Sequence, residues 1–134
     1  MNALEVMCYE LAPGTELDQK GSSLWLAPDA LDVRKMAKLM NQQKGRLITI
    51  TATQLPEDEG MVMDYHWDLD GRLMTFHLHV DDSTVPSIYD LCESANWIER
   101  EIHEYFAIEF TGRDYEPLML REGDKPGVNL HEED

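Results

Sequence analysis

The dipeptide Asp70-Gly71 divides two nine-residue stretches, 61–69 and 72–80, and dictates how they pair. Asp-Gly suits the two left-handed positions of a tight hairpin turn. Setting Leu69 against Arg72 places Trp67 opposite Met74, Tyr65 opposite Phe76, Met63 opposite Leu78 and Met61 opposite Val80, all on one side. The other side then carries Asp64, His66, Asp68, Thr75, His77 and His79. A slip of one residue would turn every one of those aromatics toward water, so the pattern demands a sheet with one buried face.

Around this hairpin the sequence reads as alternating helix and strand. Leu4–Leu11 (LEVMCYEL) reads as a strand ended by Pro13-Gly14, and residues 13–27 as irregular backbone anchored by Leu24, Trp25 and Leu26. Asp29, with Asp32 three residues on, predicts the start of an amphipathic helix over 30–44, carrying Val33, Met36, Ala37 and Met40 inward and stopped by Lys44-Gly45. Residues 46–53 alternate Ile48, Ile50 and Ala52 with threonines, a strand with one buried face, and 56–60 form its acidic turn. Ser87 with Asp90 predicts a short capped helix, and Asn96 with Glu99 a second one that the first can join over 87–106. An extended piece around Ile108 and Phe110 leads to Gly112. The expected fold is α+β in two layers, a mostly antiparallel sheet with helices packed on one face, forming a single domain over 1–122 with an acidic, flexible tail over 123–134.

Composition removes several functions. With 11 basic against 27 acidic residues the formal charge is −16, which repels phosphate backbones, so no nucleic-acid partner is expected. No apolar run reaches the roughly 20 residues of a membrane-spanning helix and no basic segment followed by an apolar core opens the sequence, so a cytoplasmic protein without a span of its own is expected. Cys8 and Cys92 are the two cysteines. An iron–sulfur cluster takes about four thiolates, so this protein is expected to hold none.

The densest charge cluster is Glu99-Arg100-Glu101 with His103 and Glu104, where helical spacing sets Arg100 beside Glu104 and Glu99 beside His103. Physics alone reads it as a solvated helix face, because such pairs are common and individually weak. The functional reading is a carboxylate and guanidinium surface that docks a partner, with Trp97 and Phe106 as apolar anchors. His66, His77, His79 and Asp64 have ligand chemistry, but same-face strand residues lie ~7 Å apart, so convergence would have to cross strands and no metal site is assigned. The methionines at 36, 40, 61, 63 and 74 read as core filler. Neither a nucleophile elbow nor a phosphate loop is present, and no active site of its own is expected.

Residues 95–110, ANWIEREIHEYFAIEF, resemble the signature A-n-W-x-E-R-E-x-x-D/E-x-F-G-I-x-F of one hydrophilic-arm family of complex I, that of its C subunit, which includes the homologous small subunit of energy-converting nickel–iron hydrogenases. Val85-Pro86-Ser87-Ile88 resembles the lead-in usual in that family, and the resemblance spans roughly residues 30–121. Ala107 stands where the family has glycine and Arg113 where quinone-linked members generally have histidine, while the arginine pair expected near Glu116-Pro117 and a basic proline-rich tail are missing. These departures resemble the hydrogenase branch more than the quinone branch.

The resemblance implies a non-catalytic hydrophilic subunit that braces the large subunit of an electron-transfer arm. Its partners would be a nickel–iron hydrogenase-like large subunit, an iron–sulfur small subunit and membrane-arm subunits, at the inner face of the cell membrane. Iron–sulfur clusters and nickel–iron or quinone sites would belong to those partners, with no cofactor in this protein itself. The partner-facing residues implied are Trp97, Glu99, Arg100, Glu101, Glu104, Phe106, Gly112 and Arg113. The alternatives are the corresponding C subunit of an NADH:quinone oxidoreductase, a stand-alone acidic interaction domain and, more distantly, a metal-binding module.

Overall fold

The computed structural model describes residues 3–57 and 59–114, so the tail expected over 123–134 lies outside the described residues. The elements run α1 (Ala3–Leu11), β1 (Asp18–Lys20), β2 (Ser23–Leu26), α2 (Val33–Gln42), β3 (Arg46–Gln54), β4 (Met61–Leu69), β5 (Arg72–Val80), β6 (Thr84–Pro86), α3 (Ala95–Phe106) and β7 (Glu109–Thr111). Five strands form one sheet in the order β1-β2-β5-β4-β3, antiparallel throughout except where β2 joins β5, and β6 and β7 form a separate parallel pair. The α+β class and the mostly antiparallel sheet agree with the pattern of the sequence.

The hairpin has the predicted register at every pair named above, from Leu69↔Arg72 to Met61↔Val80. Asp70 and Gly71 take φ of 53° and 82°, both left-handed, and Asp68 Oδ1 accepts a hydrogen bond from the Gly71 N–H at 2.9 Å. Met61, Met63, Tyr65, Trp67, Met74 and Phe76 are buried on one face, where they share a core with Val33, Met36, Ala37 and Met40 of α2. The methionine stripe is thus core.

Several local readings change. Leu4–Leu11 is helix, not strand: Leu4, Met7, Cys8 and Leu11 recur at i, i+3, i+4 and i+7, and the last three are buried while Val6 and Tyr9 face out. The cap of α2 is Asp32 rather than Asp29, its side chain accepting from the Lys35 N–H at 3.0 Å, and the helix covers 33–42 instead of 30–44. In β3 a bulge between Leu47 and Thr49 breaks the alternation, so Ile48 is 54% exposed while Ile50 is buried. Residues 87–94 form turns rather than a capped helix, because the Ser87 hydroxyl and the Asp90 carboxylate are engaged elsewhere.

Residues 13–27, expected to be irregular, contribute β1 and β2. Leu24 and Leu26 point into the core from β2 and Trp25 points outward against His77, ring centroids 5.0 Å apart.

Candidate functional site

The helix that carries the charge cluster is held at both ends by one small unit. β6 and β7 pair in parallel through Thr84↔Glu109, Val85↔Phe110 and Pro86↔Thr111, so β6, α3 and β7 form a compact strand–helix–strand loop. The Ser87 N–H donates to the Thr111 carbonyl at 2.9 Å and the Glu109 N–H to the Ser83 carbonyl at 2.8 Å. α3 lies against β3 of the main sheet. Ala95, Glu99 and Ile102 form its buried stripe at i, i+4 and i+7.

Glu99 is therefore an ionisable group on an apolar stripe, and it is fully buried. Its two oxygens are met from three directions: the Ser87 hydroxyl donates to Oε1 at 2.6 Å, the Ile88 N–H to Oε2 at 2.9 Å, and Arg113 Nη1 to Oε1 at 3.2 Å. Arg113 also donates through Nη2 to the Asn96 Oδ1 at 2.6 Å and lies over the Tyr89 ring, 4.8 Å from its centroid. Its side chain is 5% exposed, so this is an interior ion pair. Burial pushes the Glu99 carboxyl above its ordinary range, outweighing the hydrogen bonds and the cation that favour its charge.

A second clamp joins the same turns to α2. Arg34 donates to Asp90 through both terminal nitrogens, at 2.7 and 2.8 Å, and to the Ser87 carbonyl at 2.7 Å. That pairing lowers the Asp90 carboxyl below its usual range. Asn41 donates to the Leu91 carbonyl at 2.9 Å, adding a third tie between α2 and the turns.

The residues expected on a partner-facing surface separate into two groups. Glu99, Glu104 and the Arg113 side chain are buried, and Gly112 sits on the surface at φ 85° where β7 ends. Trp97, 58% exposed, and Glu101 stand outward on α3, with Arg100 and Phe106 half-buried beside them. The turn closing α3 is fixed by Ala107, whose φ of 55° is left-handed, and by His103, whose Nδ1 lies 2.9 Å from the Ile108 carbonyl oxygen. Asn96 and Glu99, read as a reciprocal cap, do not form one: the cap residue is Ser94, without a side-chain bond, and Glu99 turns inward to Ser87. The partners that the sequence reading missed are Ser87, Asn96, Tyr89 and the Arg34–Asp90 pair. A carboxylate in register with Ala95 and Ile102 was the available signal that Glu99 needs interior partners.

The histidines of the hairpin make hydrogen bonds within the outer face. His66 bridges Thr51 at 3.2 Å and Thr75 at 3.0 Å, His77 meets Asp64 at 2.6 Å, and His79 reaches the Glu59 carbonyl at 2.8 Å. Among the described residues no group of three or more His, Cys, Asp or Glu is arranged to hold a metal ion. Cys8 and Cys92 are both buried free thiols, and burial raises Cys8 to about 11 and Cys92 in the same direction, which keeps them protonated. No helix among the described residues is long and apolar enough to cross a membrane.

Comparison with known proteins agrees with this fold. Residues 26–130 match the family model described as "Respiratory-chain NADH dehydrogenase, 30 Kd subunit". The C subunit of NADH-quinone oxidoreductase from Ruegeria pomeroyi is 40% identical over 70 residues, covering 49% of this sequence and 35% of that protein. The J subunit of NAD(P)H-quinone oxidoreductase from Prochlorococcus marinus is 36% identical over 62 residues, covering 46% of this sequence and 34% of that protein. The match thus spans about a third of the length of these relatives.

Among solved structures, the trypsin-resistant fragment of Nqo5 superposes with a TM-score of 0.65 at 26% identity, covering 84% of this protein and 96% of that one. A component of the membrane-bound sulfane sulfur reductase, an archaeal respiratory membrane complex, shares the fold with a TM-score of 0.71 at 21% identity, covering 95% of this protein and 79% of that one. The family match takes in α3, both strands that brace it and the Glu99 cluster, and the chain belongs to the family of respiratory-chain NADH dehydrogenase 30 Kd subunits.

Proposed function

We propose that this protein is a non-catalytic bracing subunit of a membrane-bound energy-converting complex of the nickel–iron hydrogenase type, docking the large subunit of the electron-transfer arm through the outer face of α3. The observation that carries the reading is Trp97, an indole 58% exposed on a helix whose opposite side is fixed by a buried ion pair. An exposed aromatic on a rigid support, flanked by charge, is the chemistry of an interface anchor, since little ordering is left to oppose binding. Glu99 and Arg113 act from inside, holding the helix in place, while Trp97, Arg100, Glu101 and Phe106 meet the partner. Redox centres belong to the neighbouring subunits, and the protein associates with the inner face of the membrane through them.

Arg113, which stands where quinone-linked members generally have histidine, supports the hydrogenase branch. A second reading, the equivalent subunit of an NADH:quinone oxidoreductase, is favoured by the two curated relatives, both quinone oxidoreductase subunits. Affinity purification of the tagged protein from its native host tests both. Co-purification of a hydrogenase-like large subunit supports the first and of NADH-oxidising subunits the second; in either case Trp97→Ala is expected to reduce recovery of the partner. Full recovery with Trp97→Ala, or no oxidoreductase subunit in the eluate, refutes the docking surface.

A further inference from the structure

β3 is an edge of the five-stranded sheet, and its backbone phase shows which groups it leaves open. The Leu55 N–H donates to the Gly60 carbonyl at 2.9 Å, and Gln54 pairs with Met61, so Leu55 and Gly60 are a hydrogen-bonded pair. Hydrogen-bonded and open pairs alternate in an antiparallel ladder, so Thr49, Thr51 and Thr53 bond to β4. The N–H and C=O groups of Ile50 and Ala52 therefore point away from the sheet, and among the described residues no other strand lies beside β3.

Natural edges are blunted by charge, proline or a bulge. Here the bulge sits at Leu47/Thr49 and the charge at Arg46, which leaves the stretch from Thr49 to Gln54 without any of the three. That stretch is also self-complementary. An antiparallel second copy about a two-fold axis at Thr51 pairs Ile50 with Ala52 of the second copy and Ala52 with its Ile50, satisfying the open groups of both strands. Thr51 then faces Thr51 and Thr49 faces Thr53, a threonine ladder on the outer face, where Thr51 and Thr53 are exposed. The same axis sets the basic end of β3, Lys44 and Arg46, against the acidic turn of the other copy, with Glu57 and Glu59 exposed. The Arg46 side chain is 82% exposed and meets Asp68 at 3.2 Å, a solvent-facing pair of the kind that contributes little and that a closer carboxylate can replace.

We infer that β3 is a dimerisation edge, joining two copies of this protein into one continuous ten-stranded sheet through an isologous antiparallel contact. This goes beyond the docking role of α3 and does not depend on it. The overall charge of −16 per copy opposes association at low salt, but charges farther apart than ~8 Å are screened at physiological ionic strength, while the end-to-end attraction acts at contact. The contact is small, so the dimer is weak and concentration-dependent.

Sedimentation equilibrium of the 134-residue chain over a wide concentration range tests it. The expected result is a mass rising toward two copies, with amide exchange at Ile50 and Ala52 slowing as concentration rises while Thr49, Thr51 and Thr53 stay protected throughout. Thr51→Lys, which sets two ammonium groups face to face, is expected to weaken the dimer at least ~tenfold with an unchanged circular dichroism spectrum. Arg46→Glu weakens it and the charge swap Arg46→Glu with Glu57→Lys restores it. A monomer mass at every concentration, concentration-independent exchange at Ile50 and Ala52, a Thr51→Lys variant that dimerises as before, or a charge swap that fails to restore association would each overturn the inference. The last keeps the test decisive if Thr51→Lys disturbs the fold.

Discussion

Replacing Glu99 by alanine is expected to cost about 3 kcal/mol of folding stability, near the lower end of what breaking a buried ion pair from one side takes. The removed carboxylate is fully buried and accepts from Ser87, the Ile88 N–H and Arg113, so the change orphans three donors at once. One of them has other company, since Arg113 keeps Asn96 and the Tyr89 ring, whereas the Ser87 hydroxyl, whose oxygen accepts from the Tyr89 N–H at 3.1 Å, loses the acceptor for its proton. The unfavourable burial of Glu99 itself, visible in its raised pKa, is relieved by the substitution and offsets part of the loss. Those two considerations select the low end of the range. Set against a total stability of ~5–15 kcal/mol, the variant remains folded but loses a large fraction of its margin. Urea denaturation at pH 7, followed by tryptophan fluorescence and far-ultraviolet circular dichroism, should show a lower midpoint with an unchanged slope. Adding Arg113→Ala to Glu99→Ala should cost less than the two single losses combined, because the two side chains share one contact. A loss under ~1 kcal/mol, the scale of an exposed pair, would refute the claim that this cluster is interior and supports the helix.

Further outcomes follow from the same geometry. Because the Glu99 pKa is raised in the folded state, the protonated carboxyl stabilises the fold below the ordinary glutamate range, and this contribution is lost as pH rises through the raised value; Glu99→Gln should remove that component from a stability-against-pH curve. Ala107 holds a left-handed φ of 55° that costs a residue with a Cβ about 1–2 kcal/mol, so Ala107→Gly, after its unfolded-state entropy cost of about 0.4–1 kcal/mol, should stabilise by about 0.5–1 kcal/mol, read as a higher urea midpoint. Gly71→Ala, at φ 82° in the hairpin turn, should destabilise by about 1–2 kcal/mol by the same measurement. Arg100→Glu should weaken recovery of the native complex in affinity purification while leaving the isolated protein's circular dichroism spectrum largely intact.

The hairpin was legible because two independent signals coincided: the Asp70-Gly71 turn fixed the register and the alternation of Met63, Tyr65 and Trp67 fixed the face. α1 was misread because LEVMCYEL, over a window this short, satisfies a strand by composition while its buried positions repeat at helical spacing. Ile48 reads as a buried-face residue yet stands 54% exposed, since a bulge is a property of two strands and leaves no mark on one. At the site, residues 95–112 were recognised as a unit, yet their charges looked like a surface. Helix periodicity sets Glu99 among Ala95 and Ile102, but only tertiary contact brings Ser87 and Arg113 to it, from 12 and 14 residues away.

The parallel union of β2 with β5 has a consequence for the order in which the molecule assembles. Trp25 lies beside Thr75, and the Arg34 contacts to Ser87 and Asp90 span 53 and 56 positions, so each closes a loop of about fifty residues. The entropy of closing such loops must be met before their bonds form, whereas the β4–β5 hairpin needs only its two-residue turn. Folding should therefore begin at the hairpin and spread outward, with the amino-terminal third adding itself to a template that is synthesised after it. A ribosome-bound polypeptide truncated before residue 72 has nowhere to dock its first strands.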